Sequence, residues 1–187
     1  MNTTATTRQL CAAALIAALG TLAACAPTPP PGTNTTTTVA PEVVVNVTPS
    51  GATPSSITVA PGRKVTVVGS GFTTTGNLGA RPPLAGQPAG VYVTFGRFAP
   101  DWRPSNAAPS SARQVVEQSW ALPTPSFNAL GGIEGLVEMT ASGGFTAELT
   151  AVEAPGTNAN YGIAIYAGAG SVNATEEEFI PITFTAS

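Results

Sequence analysis

Apolar and polar residues alternate along most of the chain after residue 42, with glycine and proline between the alternating runs. An alternation of period two is typical of half-buried β-strands. It predicts strands at Val43 to Val47, Ser56 to Val59, Lys64 to Gly69, Val91 to Phe95, Ile133 to Thr140, Phe145 to Thr150, Tyr161 to Ile165 and Phe179 to Thr185. We therefore expect an all-β domain over residues 42–187, an immunoglobulin-like antiparallel β-sandwich of seven to eight strands.

One predicted connection, residues 96–132, is much longer than the others. Connections in compact domains have a median length of about 4–6 residues, and longer ones are usually functional or disordered. Within it, Ser110-Ser111 followed by Ala112 to Gln118 predicts a short helix with a serine cap. A second insertion, Thr73 to Gln87, is rich in glycine and proline and is predicted to be plain loop.

The long loop carries residue types that are enriched at binding hot spots. The candidate interaction residues are Arg97, Asp101, Trp102, Arg103, Arg113 and Trp120. An arginine stacked on an indole, or paired with the aspartate, would form a compact corner here. The alternative is that the tryptophans fold back as a small core that pins the loop, while the arginines cap backbone carbonyls. Both can hold together, because a pinned loop is a pre-organised surface.

The N-terminal segment has the pattern of a secretory signal. Arg8 is the only charge before an apolar run from Leu10 to Ala24, which is shorter than the roughly 20 apolar residues that span a membrane. The run ends in Leu22, Ala23, Ala24 and Cys25, which resembles the lipobox of bacterial lipoproteins. That resemblance implies a signal peptide over residues 1–24, lipidation of Cys25 and anchoring on the extracytoplasmic face of the cell membrane. The alternative is an ordinary secretory signal cut near the same cysteine.

Residues 25–41 follow as the lipidated cysteine and a linker rich in proline and threonine, a composition that cannot build a core. A flexible linker of this length spans roughly 20–25 Å. The run Thr35 to Thr38 is either a solvated spacer or a site of glycosylation. Once the signal is removed, Cys25 has no second cysteine to pair with, so the domain is expected to be stabilised by packing alone.

Composition narrows the classes of function. The chain of 187 residues has no histidine, 9% charged residues and a formal net charge of −3. Because the chain has no histidine, it lacks the commonest general base and the commonest metal ligand of proteins. Its negative net charge argues against binding of nucleic acid. We expect a non-enzymatic binding or interaction module of the cell envelope. Its partners would be the membrane, through the lipid, and an envelope protein or polysaccharide; the oligomeric state is left open.

Three further groups of residues are weaker candidates for a catalytic, metal-binding or haem-binding site. Glu134 and Glu138 share a strand face, but four residues of strand separate them by roughly 13 Å, too far for a glycosidase pair. The acidic run from Thr175 to Glu178 predicts a solvated turn rather than a calcium site. The tyrosines Tyr92, Tyr161 and Tyr166 are either haem ligands or residues of the core and its rim.

Several motifs of the domain resemble a known family. They are Val47-Thr48-Pro49-Ser50, Pro61-Gly62, Val65-Thr66-Val67, Gly69-Ser70-Gly71-Phe72, Gly90 to Gly96, Tyr161-Gly162-Ile163 and Phe179 to Phe184. They are similar to immunoglobulin-like modules of actinobacterial surface proteins that are often appended to haem-transport-associated proteins. The opening motifs more distantly resemble neocarzinostatin apoproteins, although this chain lacks the two disulfides of that family. The resemblance implies a sandwich fold and, as an alternative function, a carrier of haem or of a small hydrophobic chromophore.

Overall fold

The computed structural model describes residues 43–51, 55–131 and 133–186. Within these residues the chain forms nine strands: β1 (Val43–Val47), β2 (Ile57–Val59), β3 (Arg63–Gly69), β4 (Val91–Phe98), β5 (Arg113–Pro123), β6 (Leu136–Met139), β7 (Phe145–Ala151), β8 (Asn160–Ala167) and β9 (Glu178–Phe184). One helix, α1 (Thr124–Ala129), follows β5 in this described part. The predicted all-β class is confirmed, with nine strands in place of seven to eight.

The strands form two sheets, one of three strands in the order β1-β3-β7 and one of six in the order β2-β9-β8-β4-β5-β6. Four strand pairs are antiparallel, as expected. Both sheets are nevertheless mixed, because β1 pairs with β3, β2 with β9 and β5 with β6 in parallel. None of these three pairs is a simple hairpin. The chain visits another strand or α1 between the partners, and such a crossover permits parallel pairing.

The core lies between the two sheets and consists of the apolar residues of each alternating run. Its most deeply buried members, each at most 1% exposed, include Val65, Val67, Val91, Val93, Phe95, Ile163, Ile165 and Ile180. Burying a side chain of this size is worth about 1.5–3 kcal/mol. This packed layer fills the space between the sheets and holds the domain together without a disulfide.

The predicted long loop over residues 96–132 is wrong in most of its length. The structure places the end of β4, the whole of β5 and α1 in this range, and the part between the strands is residues 99–112. The predicted helix from Ala112 to Gln118 is wrong: a 3-10 turn covers Ser110–Ala112, and the chain is strand from Arg113 onward. The β-branched Val115 and Val116 favour strand locally, and pairing with β4 overrides the serine-cap signal.

Two further predicted boundaries change. The strand predicted from Ile133 shortens to β6, and Ile133 itself is 56% exposed. The insertion predicted as plain loop lies in residues 70–90, which we call the proline loop. It is anchored at defined points: Leu84 is 2% exposed, and isolated β-bridges join Leu78 to Pro88 and Gly79 to Ala85. We call residues 99–112 the tryptophan loop, because it contains Trp102.

Candidate functional site

The predicted interaction residues do not form one surface, and Arg97 is the clearest exception. Its guanidinium carbon lies 4.2 Å from the centre of the Tyr161 ring. Its Nε and Nη1 donate to the carbonyl oxygens of Ala154 and Asn158, at 2.9 and 3.1 Å. Arg97 therefore caps backbone carbonyls in a half-buried position, which is the structural role considered for the arginines.

Trp102 is buried rather than presented to a partner. It is 3% exposed, and its ring centre is 5.8 Å from that of Phe98 on β4. The Arg103 guanidinium carbon lies 5.3 Å from the centre of the indole, so arginine stacks on tryptophan. Asp101 accepts a hydrogen bond from Asn106 Nδ2 at 2.8 Å. The tryptophan is thus the anchor that holds the tryptophan loop against the sheet.

Arg113 and Trp120 reach a different place, the outer face of the six-stranded sheet. Arg113 Nη1 donates to the Trp102 carbonyl oxygen at 2.6 Å, and its guanidinium carbon lies 5.5 Å from the centre of the Tyr166 ring. Trp120 Nε1 donates to the Ala89 carbonyl oxygen at 2.7 Å. Both side chains are half-buried and are fixed by bonds to the two loops.

Three aromatic side chains stand in a row across β8, β4 and β5. Tyr92 pairs directly with Trp120 on one side and with Tyr166 on the other. The ring centres are 5.0 and 5.6 Å apart. Because successive side chains of a strand alternate, Val91 and Val93 enter the core and the aromatic residue between them points outward. The row therefore lies on the outer face of the six-stranded sheet.

The two loops turn this row into a cleft. A hollow of about 340 Å³ lies over Tyr92 and Tyr166, with Pro104 of the tryptophan loop and Arg81 of the proline loop among its lining residues. We call this hollow, together with the one that adjoins it, the aromatic cleft. Ligand sites are typically concave and lined by aromatic side chains with a few polar groups, and the volume falls in their usual range of about 300–1,000 Å³.

The adjoining hollow, of about 250 Å³, extends the cleft over Trp120 and is lined by Pro82 as well. The two hollows share Arg81, Tyr92 and Gly170. Gly170 has a φ of +77°, and a Cβ there would lie 2.7 Å from Arg81 Nε. The left-handed backbone at this position favours glycine, and the missing Cβ leaves room for the arginine side chain.

The cleft is positively charged. Arg81 and Arg113 line it, and its described lining contains no carboxylate. Within the described ranges the single ion pair joins Lys64 and Glu148 on the other sheet, so neither cleft arginine is neutralised by an acidic partner. Burial raises the pKa of the Tyr166 phenol, and nearby Arg113 opposes this shift. The phenol therefore stays protonated at neutral pH and can donate a hydrogen bond.

The predicted solvated turn over Thr175 to Glu178 is wrong, because its glutamates are buried. Glu176, which is 3% exposed, accepts bonds from the Thr73 backbone N–H and from Asn77 Nδ2, at 2.5 and 2.6 Å. Glu177, 4% exposed, accepts from the backbone N–H and the hydroxyl of Ser105. One carboxylate thus tethers the proline loop and the next tethers the tryptophan loop.

Glu178 is buried at the start of β9. Burial raises the pKa of this carboxyl above its ordinary value, while the backbone of Ser50 and Gly51 and the charge of Arg103 act in the opposite direction. Glu176 and Glu177 are structural acceptors. In the described residues no group of three or more His, Cys, Asp or Glu is placed to hold a metal ion.

Three of the four remaining candidates form hydrogen bonds within the fold. Glu134 lies in the exposed turn before β6, and Glu138 accepts a bond from the Thr124 hydroxyl at 2.7 Å. The Tyr161 phenol donates to the Ala154 carbonyl and accepts from its N–H. The Tyr92 hydroxyl accepts from the Ala169 N–H at 3.2 Å.

The sequence did not point to Arg81 or to the buried, tethering role of Glu176 and Glu177. Arg81 lies in a segment rich in proline and glycine, and nothing local distinguishes it from a solvated cation. The tyrosines offered one usable signal: Tyr92 and Tyr166 stand at positions where an alternating strand normally places polar residues. Large aromatic residues on the polar phase of two strands indicate that this face is covered or binds something.

No family model, curated protein or solved structure matches the chain. The lipobox residues Leu22, Ala23, Ala24 and Cys25, the signal peptide and the linker lie outside the described residues. Among the helices that the structure does describe, none is both long and apolar enough to cross a bilayer.

Proposed function

We propose that this chain is a lipid-anchored protein of the bacterial cell envelope, and that its sandwich is a non-enzymatic binding module with the aromatic cleft as its ligand site. The observation that carries the proposal is the row of Tyr166, Tyr92 and Trp120, walled by two tethered loops and flanked by two arginines. Tyrosine, tryptophan and arginine are the residue types most enriched at binding hot spots.

The fixing of the cleft walls supports binding. The buried carboxylates of Glu176 and Glu177 hold one wall each, and Trp102 anchors the tryptophan loop. A pre-organised site loses less conformational entropy when a ligand binds. The cleft lining offers arginine, tyrosine and serine side chains, none of which is an ordinary general base at neutral pH. These properties favour capture of a ligand over its chemical conversion.

The lipid anchor is proposed from the resemblance to a lipobox, and a second cysteine of the same segment provides a matched control for its test. Replacing Cys25 by Ala should abolish the incorporation of radiolabelled palmitate and the partition of the protein into detergent. The Cys11→Ala variant should behave like the wild type, because that cysteine lies within the signal segment. Equal labelling of the Cys25→Ala variant would disprove the anchor.

Occupation of the cleft can be tested by filling it. Ser110 is exposed and lines the cleft, whereas its neighbour Ser111 is exposed and is not among the lining residues. We expect the wild type and the Ser111→Trp variant of the full-length chain to be retained by detergent-extracted cell walls of the native host. The Ser110→Trp variant should be released. Equal retention of all three would show that the cleft is not the binding surface.

Carriage of haem or of a small chromophore is the second candidate, and the two adjacent tyrosines in a cationic cleft favour it. The space between the sheets is filled by core side chains. We therefore assign such a ligand to the aromatic cleft, where Tyr92 and Tyr166 lie together. A saturable shift of the haemin absorption band at one equivalent, lost in Tyr166→Phe, would support the carrier. An unsaturating change, equal in the variant, would exclude it.

A further inference from the structure

We infer that the aromatic cleft binds an acidic glycan, a chain of sugar rings that carry carboxylates. This inference rests on the proposed binding function and names the chemical class of its ligand. Three features of the cleft carry it: its charge, the aromatic side chains of its floor, and the shape that extends over three strands.

The charge of the cleft selects an anion. Arg81 and Arg113 both line the larger hollow, and no carboxylate lies among the described lining residues. The whole chain has a formal net charge of −3, so this positive site is a local exception rather than part of a basic surface. A guanidinium binds a carboxylate through two parallel hydrogen bonds, which makes the pair both strong and directional.

Arg81 is the arginine with the most freedom to bind. It is exposed, and it makes no hydrogen bond or ion pair within the described part of the chain. Arg113 differs, since one of its nitrogens already donates to the Trp102 carbonyl and its guanidinium lies over Tyr166. The first arginine can therefore close on a ligand carboxylate, while the second presents a fixed charge.

The floor of the cleft suits sugar rings. The faces of aromatic rings carry partial negative charge and attract the weakly positive C–H groups on the face of a sugar. Tyr92, Tyr166 and Trp120 stand side by side there, with the ring plane of Tyr92 inclined to those of Trp120 and Tyr166 by 47° and 65°. Ser110 and Ser171 supply polar groups near them. Two adjoining hollows that share Tyr92 and Arg81 accommodate successive rings of a chain better than one compact molecule.

An acidic peptide is less well matched. Peptides in extended form gain affinity by adding a strand to an unpaired sheet edge. The floor of the cleft is made by β8, β4 and β5, each of which is already paired on both sides. Nucleic acid would require a broad basic surface, which a chain with a pI of about 4.8 does not offer.

The inference can be tested with polygalacturonate and its fully methyl-esterified form, which share one sugar backbone and differ in charge. We expect the full-length protein, purified in detergent, to bind polygalacturonate at least about tenfold more tightly than the ester, since one retained charge-assisted bond is worth that factor. Binding should weaken in about 0.5 M salt, where exposed charges are screened. Equal affinity for the two polymers would overturn the inference.

Variants locate the binding. Arg81→Gln should weaken binding of polygalacturonate about tenfold and leave the folded structure intact, because the side chain is exposed and without a hydrogen bond in the described structure. Lys64→Gln removes the same charge from the other sheet and should bind like the wild type. Unchanged affinity of Arg81→Gln, or equal loss in Lys64→Gln, would contradict an arginine-guided site.

Further binding measurements distinguish a failure of this inference from a failure of the proposed function. Poly-glutamate that binds as tightly as polygalacturonate would overturn the glycan class in favour of an acidic peptide. Preference for the neutral ester would likewise overturn the acidic ligand. The proposed binding function would still stand if cell walls retain the wild type and release the Ser110→Trp variant. If the protein bound neither cell walls nor polygalacturonate, the proposed function and the inference would both be rejected. Acid-specific binding that is sensitive to Arg81→Gln would establish the inference.

Discussion

The two outer faces of the sandwich differ in what they expose. On the three-stranded sheet the outward positions of the described strands carry no aromatic side chain: Val44 is 51% exposed, and Lys64 forms a solvent-exposed ion pair with Glu148. On the six-stranded sheet the outward positions include Tyr92, Trp120 and Tyr166, and two loops lie beside them. Both faces arise from the same alternation of residues along their strands.

The difference shows that the size of the outward side chains determines whether a sheet face needs to be covered by other parts of the chain. Short polar residues and lysine are well solvated and need no cover. Aromatic side chains expose a large apolar area that is stabilised by contact with other groups. The chain supplies this contact with the tryptophan loop and the proline loop, and buried carboxylates hold both loops in place. The covered face therefore has structural demands that the open face lacks.

The largest expected effect tests the anchor of the covered face. Trp102→Ala should lower the free energy of unfolding by about 3–5 kcal/mol, because it empties a buried aromatic site. Val44→Ala on the open face should change it by no more than about 0.5 kcal/mol. Urea unfolding followed by circular dichroism measures both. Similar small losses in the two variants would mean that the covered face adds little stability.

A smaller effect is expected at the loop tether. Glu176→Gln keeps the size of the side chain but turns an amide group toward the donors of Thr73 and Asn77. One buried donor then loses its acceptor, at a cost of about 1–3 kcal/mol. Glu148→Gln, which breaks the exposed pair on the open face, should leave the unfolding midpoint unchanged within error. Equal midpoints for both variants would contradict the tether.

The smallest effect concerns pH. Because burial raises the pKa of Glu178, the folded state binds more protons than the unfolded state from the ordinary carboxyl range up to the raised value. Stability is then lost as the pH rises through this window. Glu178→Gln cannot ionise, so it should gain stability relative to the wild type between acidic and neutral pH. Thermal melts at several pH values measure this gain, and parallel curves would contradict it.

Much of the architecture could be predicted from local pattern. The alternation of Val65 with Val67, or of Ile163 with Ile165, placed core strands correctly. The helix predicted after Ser110-Ser111 failed because pairing with β4 outweighs a local cap. The buried state of Glu176 and Glu177 could not be predicted either, since a run of acids beside a turn normally faces water. Their acceptors are satisfied by donors about 70 to 100 residues away in the chain.

The sequence by itself determined the all-β class, most of the strands that supply the core and the clustering of tryptophan and arginine in one stretch. Only the tertiary structure decided that Arg81, Tyr92, Arg113, Trp120 and Tyr166 share one cleft. The physical reason is strand register. Pairing across β8, β4 and β5 is non-local, and a shift by one residue would turn every aromatic side chain of the row to the opposite face.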